Sequence, residues 1–101
     1  MQKAKGVRKA RLKRLMVKRP HNDVILLYRL FCDRYSRGSR VYSLTVTKID
    51  CKGQRREVCC IRDIARDPYD AARIFYIVSR GLVTPMNARE IVSDIIGIYL
   101  G

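Results

Sequence analysis

Residues 24–31 read VILLYRLF and residues 40–49 read RVYSLTVTKI, and these two stretches decide the fold of the 101-residue chain. The first is rich in β-branched and aromatic residues and lies between polar segments, which favours a strand over a helix. In the second, Tyr42, Leu44 and Val46 alternate with serine and threonine. This alternation is typical of an antiparallel strand with one buried face and one wet face.

A third strand is predicted at residues 56–61, after the turn-forming residues 50–54. Three short strands joined by short turns indicate an antiparallel meander, and three strands are about the minimum for a stable sheet.

Two helices are expected after the strands. Asp67 and Pro68 supply an N-cap and a first helical residue, and apolar residues then recur at helical spacing, namely Ala71, Ile74, Phe75 and Val78. Gly81 is predicted to end this helix in the left-handed conformation. Thr84 and Pro85 repeat the start signal for a second helix.

The second helix carries a broad apolar stripe that includes Ala88, Ile91, Val92, Ile95 and Tyr99. The stripe could close the core of the monomer, or it could bind another protein or a second copy of the chain through Ile91, Val92, Ile95 and Tyr99. The predicted fold class is α+β: a three-stranded antiparallel meander followed by two helices packed on one face, with a mobile basic N-terminal arm.

The charge is unevenly distributed along the chain. The whole chain has 22 basic and 9 acidic side chains and a formal net charge of +13, yet the first 20 residues contain nine basic and no acidic residues. We therefore predict a flexible basic arm at residues 1–20 and a small β-β-β-α-α domain at residues 21–101. The basic residues of the arm are Lys3, Lys5, Arg8, Lys9, Arg11, Lys13, Arg14, Lys18 and Arg19.

Targeting signals are not evident in the sequence. Basic residues interrupt the N-terminal segment, so it lacks the apolar run of a secretory signal, and nowhere do about 18 apolar residues follow one another as in a membrane span. A cytoplasmic location is therefore expected. Met16 is an alternative start to Met1, since start-site choice leaves no physical trace in a protein sequence.

Catalytic and metal-binding patterns are equally absent from the sequence. The cysteines, at positions 32, 51, 59 and 60, contain no closely spaced zinc-ligand pair, and we interpret them as buried, reduced thiols. His21 is interpreted as a solvated residue at the junction of arm and domain, and Asp67 and Asp70 as helix-start residues. We predict no catalytic residues, no metal and no cofactor, and hence no enzyme.

The carboxy-terminal half carries a resemblance in residues 61–64, which lead into a helix, in residues 82–85 and in residues 91–94. Together with the strand at residues 42–46, these segments resemble a loosely defined family of small bacterial proteins of unknown function from Gram-positive spore formers. The resemblance spans residues 24–100 and implies the β-β-β-α-α order and a cytoplasmic bacterial setting. It rests on strands and helix caps, gives no active site and does not include the basic arm.

Two functions remain open at this point. The basic arm could bind the phosphate backbone of DNA or RNA, extended by cations of the domain, namely Arg29, Arg34, Arg37, Arg40, Lys48, Lys52, Arg55 and Arg56. Alternatively, the helical pair could dock on a protein, for example a component of the transcription machinery, with the arm steering the chain towards an acidic surface. Either function is compatible with a monomer or a homodimer.

Overall fold

The structure is a computed structural model that describes residues 9–35, 40–50, 52 and 55–100. In these residues the fold comprises a four-stranded antiparallel sheet and two helices. The strands lie side by side in chain order and are β1 (Lys9–His21), β2 (Val24–Tyr35), β3 (Arg40–Asp50) and β4 (Arg56–Ala65). The helices are α1 (Pro68–Arg80) and α2 (Pro85–Ile95), and a short π-helical segment, Ile96–Leu100, continues from α2. The α+β class is confirmed, whereas the predicted strand number is wrong by one.

The additional strand is β1, which occupies most of the predicted mobile arm. It pairs with β2 from Lys9 opposite Tyr35 to His21 opposite Val24, with one irregularity between Lys13 and Leu15. Edge strands tolerate charged residues because they have a neighbour on one side alone, so a basic segment can occupy this position. Residues 1–8 of the predicted arm lie outside the described residues.

Both helices pack on one face of the sheet, as predicted. Alternate residues of β2, namely Leu26, Tyr28 and Leu30, are almost fully buried there, and Leu44 and Val46 of β3 lie beside them. The helices contribute the buried residues Ala71, Ile74, Phe75 and Val78 of α1 and Ala88, Val92 and Ile95 of α2. The helical spacing of apolar residues in the sequence therefore located the core side of each helix correctly.

The ends of the helices differ from the sequence prediction. Asp67 and Thr84 precede α1 and α2, but neither side chain makes a capping hydrogen bond. Gly81 has a φ of −80°, and it is Leu82, with a φ of 55°, that adopts the left-handed conformation. A glycine is still favoured at position 81 because a Cβ there would lie 3.1 Å from the Ile77 carbonyl oxygen.

A hydrogen bond ties the sheet to the connection between the helices. The hydroxyl of Tyr28, a residue with no exposed surface, donates to the carbonyl oxygen of Val83 over 2.7 Å. Burial raises the pKa of Tyr28 to about 12, and the positive charge of Arg19 acts in the opposite direction. The phenol is therefore a neutral donor at physiological pH.

Within the described residues, no helix combines the length and the apolar composition that crossing a membrane requires.

Candidate functional site

The face of the sheet opposite the helices is the most distinctive surface of the described chain, and we refer to it as the uncovered face. The pairing of the strands brings two rows of side chains across it. One row comprises Lys18, Leu27, Thr47 and Val58, and the next comprises Met16, Arg29, Thr45 and Cys60. Val58 and Met16 are more than half exposed, at 55% and 52%, so the described part of the chain leaves apolar surface open here.

Cations lie at both edges of the uncovered face and near its centre. Lys18 on β1 and Arg56 on β4 are exposed, and Arg29 on β2 is half-buried between them. Three inter-strand spacings, roughly 14 Å, separate β1 from β4. Asp33, an acidic residue at one end of this face, is 3% exposed and takes part in an interaction within the protein.

Apolar residues of β2 and β3 also lie on the uncovered face. Ile25, Leu27 and Phe31 of β2 and Ile49 of β3 are half-buried, and they lie at the positions that alternate with the core residues. The guanidinium carbon of Arg29 lies 5.8 Å from the centroid of the Phe31 ring, within the range of a cation–π contact. The uncovered face therefore combines apolar side chains with cations on both edge strands and at Arg29.

The small polar residues of β3 are buried on this face, which corrects the prediction of a wet face. Ser43, Thr45 and Thr47 are 1%, 7% and 2% exposed. Strand β3 lies inside the sheet between β2 and β4, so longer neighbouring side chains surround these short ones. The alternation in the sequence correctly predicted that β3 has two different faces, but it did not predict how deeply the polar residues of β3 are buried.

Three buried polar atoms of the described chain have no hydrogen-bond partner, and all three belong to residues of the uncovered face. They are Nε of Arg29, Oγ of Ser43 and Oγ1 of Thr47. Buried polar groups are nearly always hydrogen-bonded, and leaving one without a partner typically costs about 1 to 3 kcal/mol. This face is therefore where the described fold leaves polar groups unsatisfied.

The structure separates the cations of the predicted arm from one another. Lys3, Lys5 and Arg8 lie outside the described residues, and Lys9, Arg11, Lys13 and Arg14 belong to β1. Lys18 joins the uncovered face. Arg19 lies on the helix side of β1, in an open cleft of about 440 Å³ that Tyr76 and Arg80 of α1 also line.

The cations predicted to extend the arm are divided between the two faces and the ends of the sheet. Arg29 and Arg56 join the uncovered face, whereas Lys48, opposite Leu26, lies on the helix side. The Lys52 ammonium lies 3.5 Å from a carboxylate oxygen of Asp23, in an exposed ion pair. Arg34 and Arg40 occupy opposite positions in the β2–β3 register. Arg55 lines a cleft at one end of the sheet, and Arg37 lies outside the described residues.

Most residues of the predicted interaction stripe on the last helix are part of the core or pack against it. Val92 and Ile95 are 2% and 5% exposed, and Ile91 packs against the same core. Tyr99, in the π-helical segment, is exposed. The described fold therefore leaves Tyr99 as the one residue of this set with most of its surface accessible.

The thiols and the histidine contribute little to a site. Cys32 is buried, Cys59 half-buried and Cys60 exposed, so the prediction of a buried thiol is wrong for Cys60, and Cys51 lies outside the described residues. His21 is exposed at the end of β1, next to Asn22. Within the described ranges, no three histidine, cysteine or acidic side chains come close enough together to hold a metal ion.

The prediction of a flexible arm at residues 1–20 missed β1, and with it the uncovered face. A two-residue period was the missing signal: Leu15 and Val17 pair with the core residues Leu30 and Tyr28, whereas Met16 and Lys18 lie on the other face.

Comparisons with protein-family models, with curated proteins and with solved structures give no match to the chain.

Proposed function

We propose that the chain is a small non-enzymatic protein that binds the phosphate backbone of nucleic acid through β1 and the uncovered face. The observation that supports this proposal is the placement of Lys18, Arg29 and Arg56 along one face of the sheet, next to the basic strand β1. The positive charge of these residues then lies on one surface of the folded sheet.

Electrostatics give the physical reason for this proposal. A protein that places lysine and arginine against phosphates releases counterions, and this release dominates binding that does not depend on sequence. Phosphate contacts also fix the orientation of the protein on its ligand. The formal net charge of +13 adds long-range attraction to a polyanion.

The salt dependence of binding tests the proposal. The full chain is titrated against labelled DNA and RNA at several salt concentrations, with the double variant Lys18→Gln/Arg56→Gln beside it. Each lost phosphate contact reduces the slope of log K against log salt by about 0.7 for single strands and about 0.9 for duplex DNA. We expect the double variant to bind more weakly and to show a slope smaller by roughly twice that amount.

A matched control removes two charges elsewhere. Arg66 and Arg73 are exposed near and on α1, away from the uncovered face, and Arg66 makes an exposed ion pair with Asp63 at 3.8 Å. Arg66→Gln/Arg73→Gln changes the net charge equally, so it should leave the slope within experimental error. Equal losses in the two double variants would contradict a defined interface and indicate attraction by net charge alone.

A protein-binding regulator acting through the helices is the second candidate, and exposed apolar side chains of the helical part favour it. Tyr69 and Met86, in the first turns of α1 and α2, are 83% and 85% exposed, and Ile98 is 74% exposed. A pull-down with nuclease-treated extract, comparing the wild-type chain with Met86→Ser/Ile98→Ser, tests this candidate. A stoichiometric protein that the variant fails to retain would favour it over nucleic-acid binding.

A further inference from the structure

The uncovered face has two properties that restrict what can bind it. It combines apolar side chains, the half-buried Leu27 and Phe31 on β2 and the exposed Val58 on β4, with the cations Lys18 on β1 and Arg56 on β4. In addition, the unpartnered polar atoms of the described chain all belong to this face. A ligand that covers it therefore needs apolar surface, negative charge and hydrogen-bonding groups together.

A second copy of the chain does not meet these requirements. Two uncovered faces in contact would bring Lys18, Arg29 and Arg56 of one chain against the same cations of the other, and each chain carries a formal net charge of +13. Like charges brought together in this way oppose association.

Double-helical nucleic acid meets the charge requirement but not the apolar one. The bases of a duplex are stacked inside it, so its outer surface offers mainly phosphates and sugars to a broad sheet. The major groove is about 12 Å wide and admits a helix or a two-stranded ribbon. Four strands span roughly 14 Å between the outer strand axes alone, so this sheet is too broad to enter the groove face-on.

We propose that the uncovered face binds single-stranded nucleic acid, with unpaired bases against its apolar side chains and phosphates against its cations. This inference rests on the proposed function and names its ligand class. Bases stack on aromatic rings and on arginine guanidinium planes, and Phe31 and Arg29 provide one of each within 5.8 Å. Lys18 and Arg56 then neutralise the backbone on both sides.

The polar atoms in the middle strand add a second contribution. Base edges carry both donors and acceptors, which suit the hydroxyls of Ser43 and Thr47 and the Nε–H donor of Arg29. A base reaches these atoms once neighbouring side chains shift, since each atom is buried in the free chain.

The test compares a single strand and a duplex of equal length in fluorescence anisotropy titrations with the full chain. Phe31→Leu removes the ring but keeps an apolar side chain and the charge. We expect it to weaken single-strand binding by about 5- to 100-fold, the range for loss of one base–aromatic stack, and to leave duplex binding unchanged. Tyr69→Leu, which removes an exposed ring at the start of α1, is the matched control and should leave both affinities unchanged.

Val58→Glu is a second variant. It changes an exposed residue, whereas Phe31→Leu changes a half-buried one that the fold must tolerate. Val58 is 55% exposed, so glutamate fits without disturbing the core, yet it places a negative charge where the nucleic acid would lie. Single-strand binding should weaken at least tenfold, whereas Val58→Lys should keep or strengthen it.

The possible failures are distinguishable. Absence of binding to either nucleic acid at low salt would overturn the proposed function and this inference together. Duplex binding as tight as single-strand binding, with Phe31→Leu and Val58→Glu both without effect, would overturn this inference alone. A dimer in sedimentation experiments that Val58→Lys dissociates would identify a second copy as the occupant and would also overturn it.

Discussion

Tyr28 shows how one residue connects the sheet to the helices. Its ring lies in the core, and its hydroxyl donates to the carbonyl oxygen of Val83 in the segment between α1 and α2. Tyr28→Phe keeps the ring but leaves that buried carbonyl without its donor. We expect the free energy of unfolding to fall by about 1 to 3 kcal/mol, measured by urea denaturation.

The control for this prediction is Tyr69→Phe. Tyr69 is 83% exposed, so removing its hydroxyl should change the free energy of unfolding by less than about 0.5 kcal/mol. An equally small change for Tyr28→Phe would contradict a stabilising hydrogen bond to Val83.

The pKa of Tyr28 predicts how stability depends on pH. Burial raises this pKa to about 12, whereas an unfolded chain releases the proton near pH 10. The unfolded state therefore binds fewer protons than the folded state between these two pH values. The stabilisation linked to the raised pKa of Tyr28 is complete below about pH 10 and is lost as the pH rises. Urea denaturation at about pH 9 and pH 11 should show the wild-type chain losing more stability than Tyr28→Phe; equal losses would contradict the raised pKa.

At the scale of elements, the β1–β2 hairpin depends on a residue in an uncommon conformation. His21 pairs with Val24, so Asn22 and Asp23 form a two-residue turn, and Asn22 has a φ of 58°. Asparagine tolerates this region better than most residues, whereas a β-branched residue is strained there. Asn22→Val should therefore lower the free energy of unfolding by about 1 to 2 kcal/mol in thermal or urea denaturation.

Asn22→Gly serves as the control for the turn. Glycine adopts positive φ without strain, so this variant should be within about 0.5 kcal/mol of the wild-type chain or more stable. If glycine and valine destabilise the protein equally, the side chain of Asn22 matters more than its backbone conformation.

The elements differ in how far the sequence could predict them. Helix α1 was predictable because Pro68 marks its start and buried residues recur at helical spacing up to Val78. Strand β1 was not, because its many cations resemble those of a solvated tail. Its pairing with β2, a non-local interaction, decides its structure.

Local conformation at the helix ends was also beyond the sequence. Glycine is the usual residue in the left-handed conformation, yet Leu82 adopts it and Gly81 does not. Leu82 adopts this conformation with its side chain packed against the core, so the usual preference for glycine does not decide this turn.

At the scale of the whole molecule, β1 should contribute strongly to the stability of the fold. Val17 packs against the core, and β1 covers one edge of β2, the strand that carries Tyr28. A chain that begins at Asn22 should lose at least about 3 kcal/mol of stability, which for a domain of this size lowers the Tm by roughly 12 to 24 °C.

Removal of residues 1–8 alone provides the comparison for β1, because it leaves the strand complete. This shorter truncation should leave the Tm nearly unchanged in a circular dichroism melt. Equal Tm values for both truncated chains would support the predicted mobile arm and contradict a structural role for β1.

The candidate site was only partly predictable at this scale. The sequence identified Arg29 and Arg56 as cations near strands, but the register determines that these two share a face whereas Lys48 lies on the other. A shift of one residue would move every side chain of a strand to the opposite face. The pairing is also irregular at residues 13–15 and 42–44, and the alternation of apolar and polar residues did not predict these shifts in register.

Binding at the uncovered face is the central claim, and chemical-shift mapping tests it most directly. The full ¹⁵N-labelled chain is titrated with a single strand of about 12 nucleotides, within the range that sheet-based binding domains contact. The account predicts the largest amide shifts at Lys18, Arg29, Thr45 and Val58 on the sheet, with small shifts in α1 and α2. Shifts concentrated at helical residues such as Met86, with the sheet unchanged, would contradict it.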